Sequence, residues 1–206
     1  MTVDETVKKR VTPTDWMRQR FKGSLDAVAG GLIKLGLTPN LMTGLGFAIT
    51  GLGAYFLSQG QMVLGGLLIL IAGPFDALDG SMARLLGQPT KFGAFVDSVT
   101  DRWSEMLIFL GLLYFYLQGN DPSAALVCIL IFVATMGSVM VSYTKARAEA
   151  LGFDCNVGLL TRMERYLVLA PGLLLNLPVV ALWIIAVLAN VTALQRALYV
   201  RSQARK

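Results

Sequence analysis

Four aspartates fall into two pairs. Asp76 and Asp79 are three residues apart, and Asp97 and Asp101 are four apart, so a helix through either pair carries both carboxylates on one face. The linking stretch LLGQPTKFG holds Gly87, Pro89 and Gly93, which predicts a tight turn between antiparallel helices. Carboxylates from two neighbouring helices then converge. Four unpaired anions near a bilayer would repel one another, so either cations sit among them or several are protonated. Cations are the simpler answer. The chain has no histidine, and oxygen-only ligation suits Mg²⁺ or Mn²⁺ better than Zn²⁺. Four carboxylates are enough to hold two such ions and to clamp a phosphoryl group between them. Gly80, Ala83 and Gly93 lie on or beside these faces and leave room for a substrate. Arg84 is placed either to neutralise a phosphate or to pair with an aspartate, and Glu105 to orient Arg102 or Lys91 or to support the metals.

The elements that must carry these residues are membrane helices. The chain has 206 residues and is 55% hydrophobic. Apolar runs cover Leu41 to Leu57, Met62 to Phe75, Met106 to Leu117, Ala124 to Val141, Tyr166 to Leu177 and Val179 to Leu194. The expected fold is an all-α integral membrane protein: six transmembrane helices at about 38–200, preceded by a cytoplasmic amphipathic helix at 13–36. Residues 1–12 read as a disordered arm, and 13–206 as a single membrane domain. In the amphipathic helix Trp16, Met17, Phe21, Leu25, Val28 and Leu32 form the apolar side; it lies either on an anionic membrane surface or against the other spans. The runs Met62 to Phe75 and Met106 to Leu117 reach only ~20 Å or less against a ~30 Å hydrocarbon core, which draws the acidic ends into the membrane. Acids there are functional by default. The D-A-L-D-G segment lacks the alternating oxygen ligands of an EF-hand.

Turns at Ser58 to Gln61, Gly119 to Ser123 and Asn176 to Pro178 hold no Lys or Arg, whereas all 18 basic residues fall on the opposite face. The positive-inside rule therefore predicts an inner-membrane protein with both termini in the cytoplasm. No cleavable signal peptide is visible, and Cys128 and Cys155 read as two free thiols.

From Asp76 to Asp101 the residues spell D-x-x-D-G-x-x-A-R-(x)8-G-x-x-x-D-x-x-x-D. This resembles the signature of the CDP-alcohol phosphotransferase family at every fixed position, and the likeness in span pattern covers nearly the whole chain. The resemblance implies a homodimeric enzyme that displaces CMP from a CDP-linked lipid with an acceptor hydroxyl. It implies that Asp76, Asp79, Asp97 and Asp101 bind two Mg²⁺ ions, with Mn²⁺ as the alternative, and that Asp101 serves as the base. Pro39, Asn40, Leu41 and Met42 match the family's P-N-x-x-T stretch that lines the nucleotide pocket, and Gly80, Arg84 and Thr90 match other nucleotide contacts. On its own, PNLMT reads as a helix start capped by Asn40.

The segment SYTKARAEALGFDCNVGLLTRMER, from Ser142 to Arg165, is similar to S-Y-x-K-A-R-A-E and E-R-x-E-R segments of the phosphatidylinositol phosphate synthases and their archaeal ether-lipid relatives, with Thr161 departing from the pattern. That likeness implies inositol 1-phosphate as acceptor and assigns its phosphate to Lys145, Arg165 and Arg196. Basic groups from separate helices suit a dianion, and glycerol 3-phosphate would use a similar pocket. The competing class is a divalent-cation carrier. The acidic pattern has no second copy in the chain, and its acids cluster at one face, whereas a carrier needs a site open to both sides.

Overall fold

The computed structural model describes residues 13–87, 90–119 and 122–205, with the side chains of 13–22 left aside. The expected N-terminal arm, the Gln88–Pro89 turn and the tip of the 119–123 turn lie outside the described residues. Among these residues seven helices follow one another: α1 (Pro13–Lys34), α2 (Pro39–Ser58), α3 (Met62–Leu85), α4 (Lys91–Gln118), α5 (Ala124–Ala150), α6 (Arg162–Leu174) and α7 (Pro178–Gln203). No strand occurs among the described residues. Four helices, α2, α3, α5 and α7, are long and apolar enough to cross a membrane. The molecule is a membrane protein by its surface as well: Leu52, Leu110, Ile129, Phe132, Trp183 and Val187 all face outward on helix sides.

The helices run past their apolar runs. α3 continues through Asp76 and Asp79 to Leu85, and α4 begins six residues before Asp97, so all four aspartates are helical. Thr90 caps α4 by accepting from Gly93 N at 2.9 Å. At the start of α2 the cap is Thr38, which accepts from Leu41 N at 3.3 Å, and not Asn40. Pro39 explains the shift: its fixed φ and missing N–H suit the first helical position, which pushes the capping role one residue earlier.

α2 lies against α3 and α4, α5 against α7, and α6 against α3 and α7. The main core joins Leu57, Ile69, Leu112, Leu130, Leu173 and Ile185. A smaller cluster, Ala29 with Met42 and Met82, seats the C-terminal half of α1 on the others. Leu32 joins that cluster, while Val28 of the expected apolar stripe is exposed. One docking point has a specific cause. Pro74 lies inside α3 and has no N–H, which leaves the Leu70 carbonyl without its helical donor. The Tyr166 hydroxyl on α6 reaches that oxygen at 2.8 Å and the Ile69 oxygen at 2.9 Å. Gly73 permits the approach, because a Cβ there would strike the Tyr166 ring. This bond fixes the N-terminal part of α6 beside α3, on the stretch of α3 that leads into Asp76.

Cys128 and Cys155 are free thiols, and burial pushes the Cys155 thiol up from its ordinary value.

Candidate active site

Asp76 and Asp79 project from α3, and Asp97 and Asp101 from α4. One carboxylate oxygen from each of Asp76, Asp97 and Asp101 lies within 4.8 Å of the others. Ligands on opposite sides of a hard cation's ~2.1–2.4 Å shell stand roughly 4–5 Å apart, so these three oxygens can share one ion. Asp79 stands outside that trio. It is buried, and its Oδ2 accepts from the Thr43 hydroxyl at 2.5 Å, which ties the α3 carboxylate to α2. The donor set is all oxygen and anionic, and it fits Mg²⁺ or Mn²⁺ by charge and by hardness.

The cationic partner of the trio comes from α6. Arg162 Nη1 lies 3.0 Å from Asp76 Oδ2, its Nη2 lies 3.4 Å from Asp76 Oδ1, and Nη2 also forms an ion pair with Asp101 Oδ1. Arg102 adds a longer contact to Asp101 at 3.5 Å and donates to Ser98 O at 2.6 Å. Neither Arg162 nor Thr43 was among the residues expected from sequence. Thr43 closes the P-N-x-x-T stretch, one helical turn after Pro39, so its face was readable. Arg162 offered only the leading arginine of R-M-E-R.

Around the carboxylates the expected nucleotide positions divide. Gly80 has open space: a Cβ there would meet only the Arg84 side chain, at 3.4 Å. Arg84 is exposed and donates to Ser81 Oγ at 2.8 Å, so it pairs with none of the aspartates. Asn40, Leu41 and Thr90 are exposed, Pro39 is half-buried, and Met42 is buried against Met82 and Ala29. The Met42 side chain therefore faces the helix core.

The expected acceptor positions are engaged by the protein itself. Arg165 is 2% exposed and makes a two-pronged bond to Glu105, Nε to Oε1 at 2.6 Å and Nη2 to Oε2 at 2.9 Å. Glu105 thus meets neither Arg102 nor Lys91. Arg196 is also buried; its Nε donates to Val157 O at 2.8 Å and its Nη1 to Val141 O. Lys145 differs, being 40% exposed with one loose pair to Glu149 at 3.6 Å. Arg165, through Leu160 O, and Arg196, through Val157 O, hold the connection between α5 and α6 in place. Thr192 Oγ1 accepts from Leu160 N at 3.0 Å, and Gly158, at φ +142°, lets the connection approach Thr192 where a Cβ would collide. Thr161 and Glu164 close a capping box at the start of α6.

Residues 36–195 match the family model for CDP-alcohol phosphatidyltransferases. The chain is 34% identical over 181 residues to the archaetidylinositol phosphate synthase of Pyrococcus horikoshii, covering 87% of this chain and 92% of that protein. Two crystal structures of Mycobacterium tuberculosis phosphatidylinositol phosphate synthase, each 32% identical, superpose on the fold. One, with CDP-DAG bound, has a TM-score of 0.79 and covers 85% of this chain and 92% of that one. The other, in complex with manganese and citrate, has a TM-score of 0.80 and covers 86% and 89%. These likenesses span both helices that bear the aspartates and set aside the carrier alternative. The chain belongs to the CDP-alcohol phosphatidyltransferase family and is a phosphotransferase of phospholipid biosynthesis.

Proposed function

We propose that this enzyme transfers a phosphatidyl group from CDP-diacylglycerol, or its ether-lipid analogue, to a hydroxyl of inositol 1-phosphate, releasing CMP. The observation that carries the reading is the meeting of Asp76, Asp97 and Asp101 within 4.8 Å in a fold similar to one solved with CDP-DAG bound. Asp76, Asp79, Asp97 and Asp101 would hold two Mg²⁺ ions, which when bound would supply Lewis acidity toward the diphosphate. Asp101 takes the proton from the acceptor hydroxyl as its oxygen bonds to the lipid-linked phosphorus and the bond to CMP breaks. Pro39, Asn40, Leu41, Gly80, Arg84 and Thr90 bound the nucleotide, with Met42 contributing through the helix it anchors.

For the acceptor phosphate, Lys145 is the group with open access. Arg196 has Nε and Nη1 engaged by carbonyls, which leaves Nη2 for an anion. Arg165 keeps two of its five N–H donors beyond those on Glu105 and Leu160. Inositol 1-phosphate is favoured over glycerol 3-phosphate by the similarity to two inositol-phosphate enzymes. The proposal includes one membrane domain at 13–206, six spans formed by α2 to α7, α1 lying along the cytoplasmic interface, both termini in the cytoplasm, and a homodimer. Incubating the purified protein with CDP-diacylglycerol, Mg²⁺ and either acceptor, and measuring CMP, tests the reaction. CMP release that depends on inositol 1-phosphate is expected; release with glycerol 3-phosphate alone would reassign the acceptor, and none with either would overturn the function.

A further inference from the structure

The Arg162 guanidinium stands among the carboxylates rather than beside them. It touches both oxygens of Asp76 and one of Asp101, and those two residues belong to the trio able to share one cation. A guanidinium and a divalent ion cannot both saturate the same oxygens, since two cations at that separation repel.

The mounting of Arg162 suits a side chain that moves while its backbone stays. The start of α6 is held by the Thr161–Glu164 capping box, by the Arg165 fork on Glu105, and by Tyr166 on the carbonyls of α3. The Arg162 side chain itself is 45% exposed, so one side of it is free of protein contacts. Arg102, the other cation on Asp101, has its own carbonyl partner in Ser98 and only a single long contact to the cluster.

We propose that Arg162 is a tethered counter-ion that competes with the divalent cation for Asp76 and Asp101. The guanidinium withdraws to the open side as an ion enters and returns as it leaves, so the carboxylates of α3 and α4 keep a cation between them throughout. This rests on the metal-binding role proposed above for the same aspartates, and adds a residue that role does not include.

Titrating the full-length protein with Mn²⁺, with the free ion followed by electron paramagnetic resonance, tests it without turnover. Arg162→Gln should bind Mn²⁺ at least about threefold tighter than wild type, the scale of a partly exposed ion pair. Arg102→Gln removes the same charge from the same neighbourhood without vacating the place between the carboxylates, and should gain less. A second readout uses the wild-type protein alone. Phenylglyoxal should label Arg162 faster in saturating Mn²⁺ than in EDTA, with Arg165 and Arg196 slow in both. The inference is overturned if Arg162→Gln binds no tighter than wild type or than Arg102→Gln, or if Mn²⁺ leaves Arg162 labelling unchanged or slows it. Asp76→Asn separates the two levels: if it takes up Mn²⁺ as well as wild type does, the metal-binding role fails and the inference with it.

Discussion

The acidic helices α3 and α4 and the basic connection from α5 to α7 handle charge in opposite ways. Asp76, Asp97 and Asp101 stand together with one bridging arginine that is itself exposed. Arg165 and Arg196 are buried and bonded to Glu105 and to backbone carbonyls before any ligand arrives. A concentrated charge with little protein compensation stores affinity for a counter-ion, whereas a compensated charge fixes geometry. In the proposed function the acidic side takes up the ligands, and much of the basic side shapes the wall they meet.

The largest effects should come from the undercompensated side. Asp101→Asn removes the proposed base and should lower kcat by about 10²–10⁴-fold while CDP-lipid binding is largely kept. Asp76→Asn should instead weaken Mn²⁺ binding in an equilibrium titration. Full activity in the Asp101 variant would remove its role and blunt the contrast between the two regions.

On the compensated side, Glu105→Gln leaves a guanidinium that is 2% exposed without its carboxylate. Breaking such a pair costs about 3 kcal/mol, so the thermal midpoint in detergent should fall clearly. Combining it with Arg165→Met should recover most of that stability, because no unpaired charge remains. Activity then decides what Arg165 does: a stable but inactive double variant keeps it at the acceptor, and an active one leaves it only a structural role.

Lys145 is the exception within the basic region, and it sharpens the comparison. Its pair with Glu149 is an exposed i,i+4 contact worth at most about 0.5 kcal/mol, so Lys145→Ala should barely change stability. A charge-assisted bond to a phosphate is worth about 1.5–3 kcal/mol, which predicts a rise of roughly tenfold or more in KM for inositol 1-phosphate with little change for the CDP-lipid. Equal effects on both substrates would take Lys145 out of the acceptor site.

The legibility of the molecule follows the same division. The spacing of Asp76 with Asp79 and of Asp97 with Asp101 depends only on helical period and a nearby turn, both local; the meeting of Asp76, Asp97 and Asp101 follows from it, whereas the bond that holds Asp79 to Thr43 outside that trio does not. Partners of the basic residues are distant: Arg165 meets Glu105 from 60 residues away, and Arg162 meets Asp76 from 86. Positive charge on this face also has a general cause in membrane topology, which hides which arginine is buried. The apolar runs mark only part of the helices that carry them. α4 starts at Lys91 because Thr90 caps it, well before the apolar run at Met106. α6, at 13 residues and ~20 Å, owes its place to Tyr166 and the Pro74 vacancy rather than to apolar length.

Thr43 carries the smallest expected effect and tests whether the acidic side is as undercompensated as it looks. Its hydroxyl is the bond from α2 to Asp79, and Asp79 is the one aspartate outside the trio. Thr43→Val keeps the shape and removes the donor, a change worth about 1.5 kcal/mol at the low end of bonds to a charged group. If Asp79 is a metal ligand whose orientation Thr43 sets, Mn²⁺ affinity should drop several-fold while the thermal midpoint moves little, and Thr43→Ser should restore it. A loss of stability with unchanged Mn²⁺ affinity would instead mean that the bond serves to join α2 to α3. Asp79 would then belong with Arg165 and Arg196, among the charges this protein spends on its own architecture.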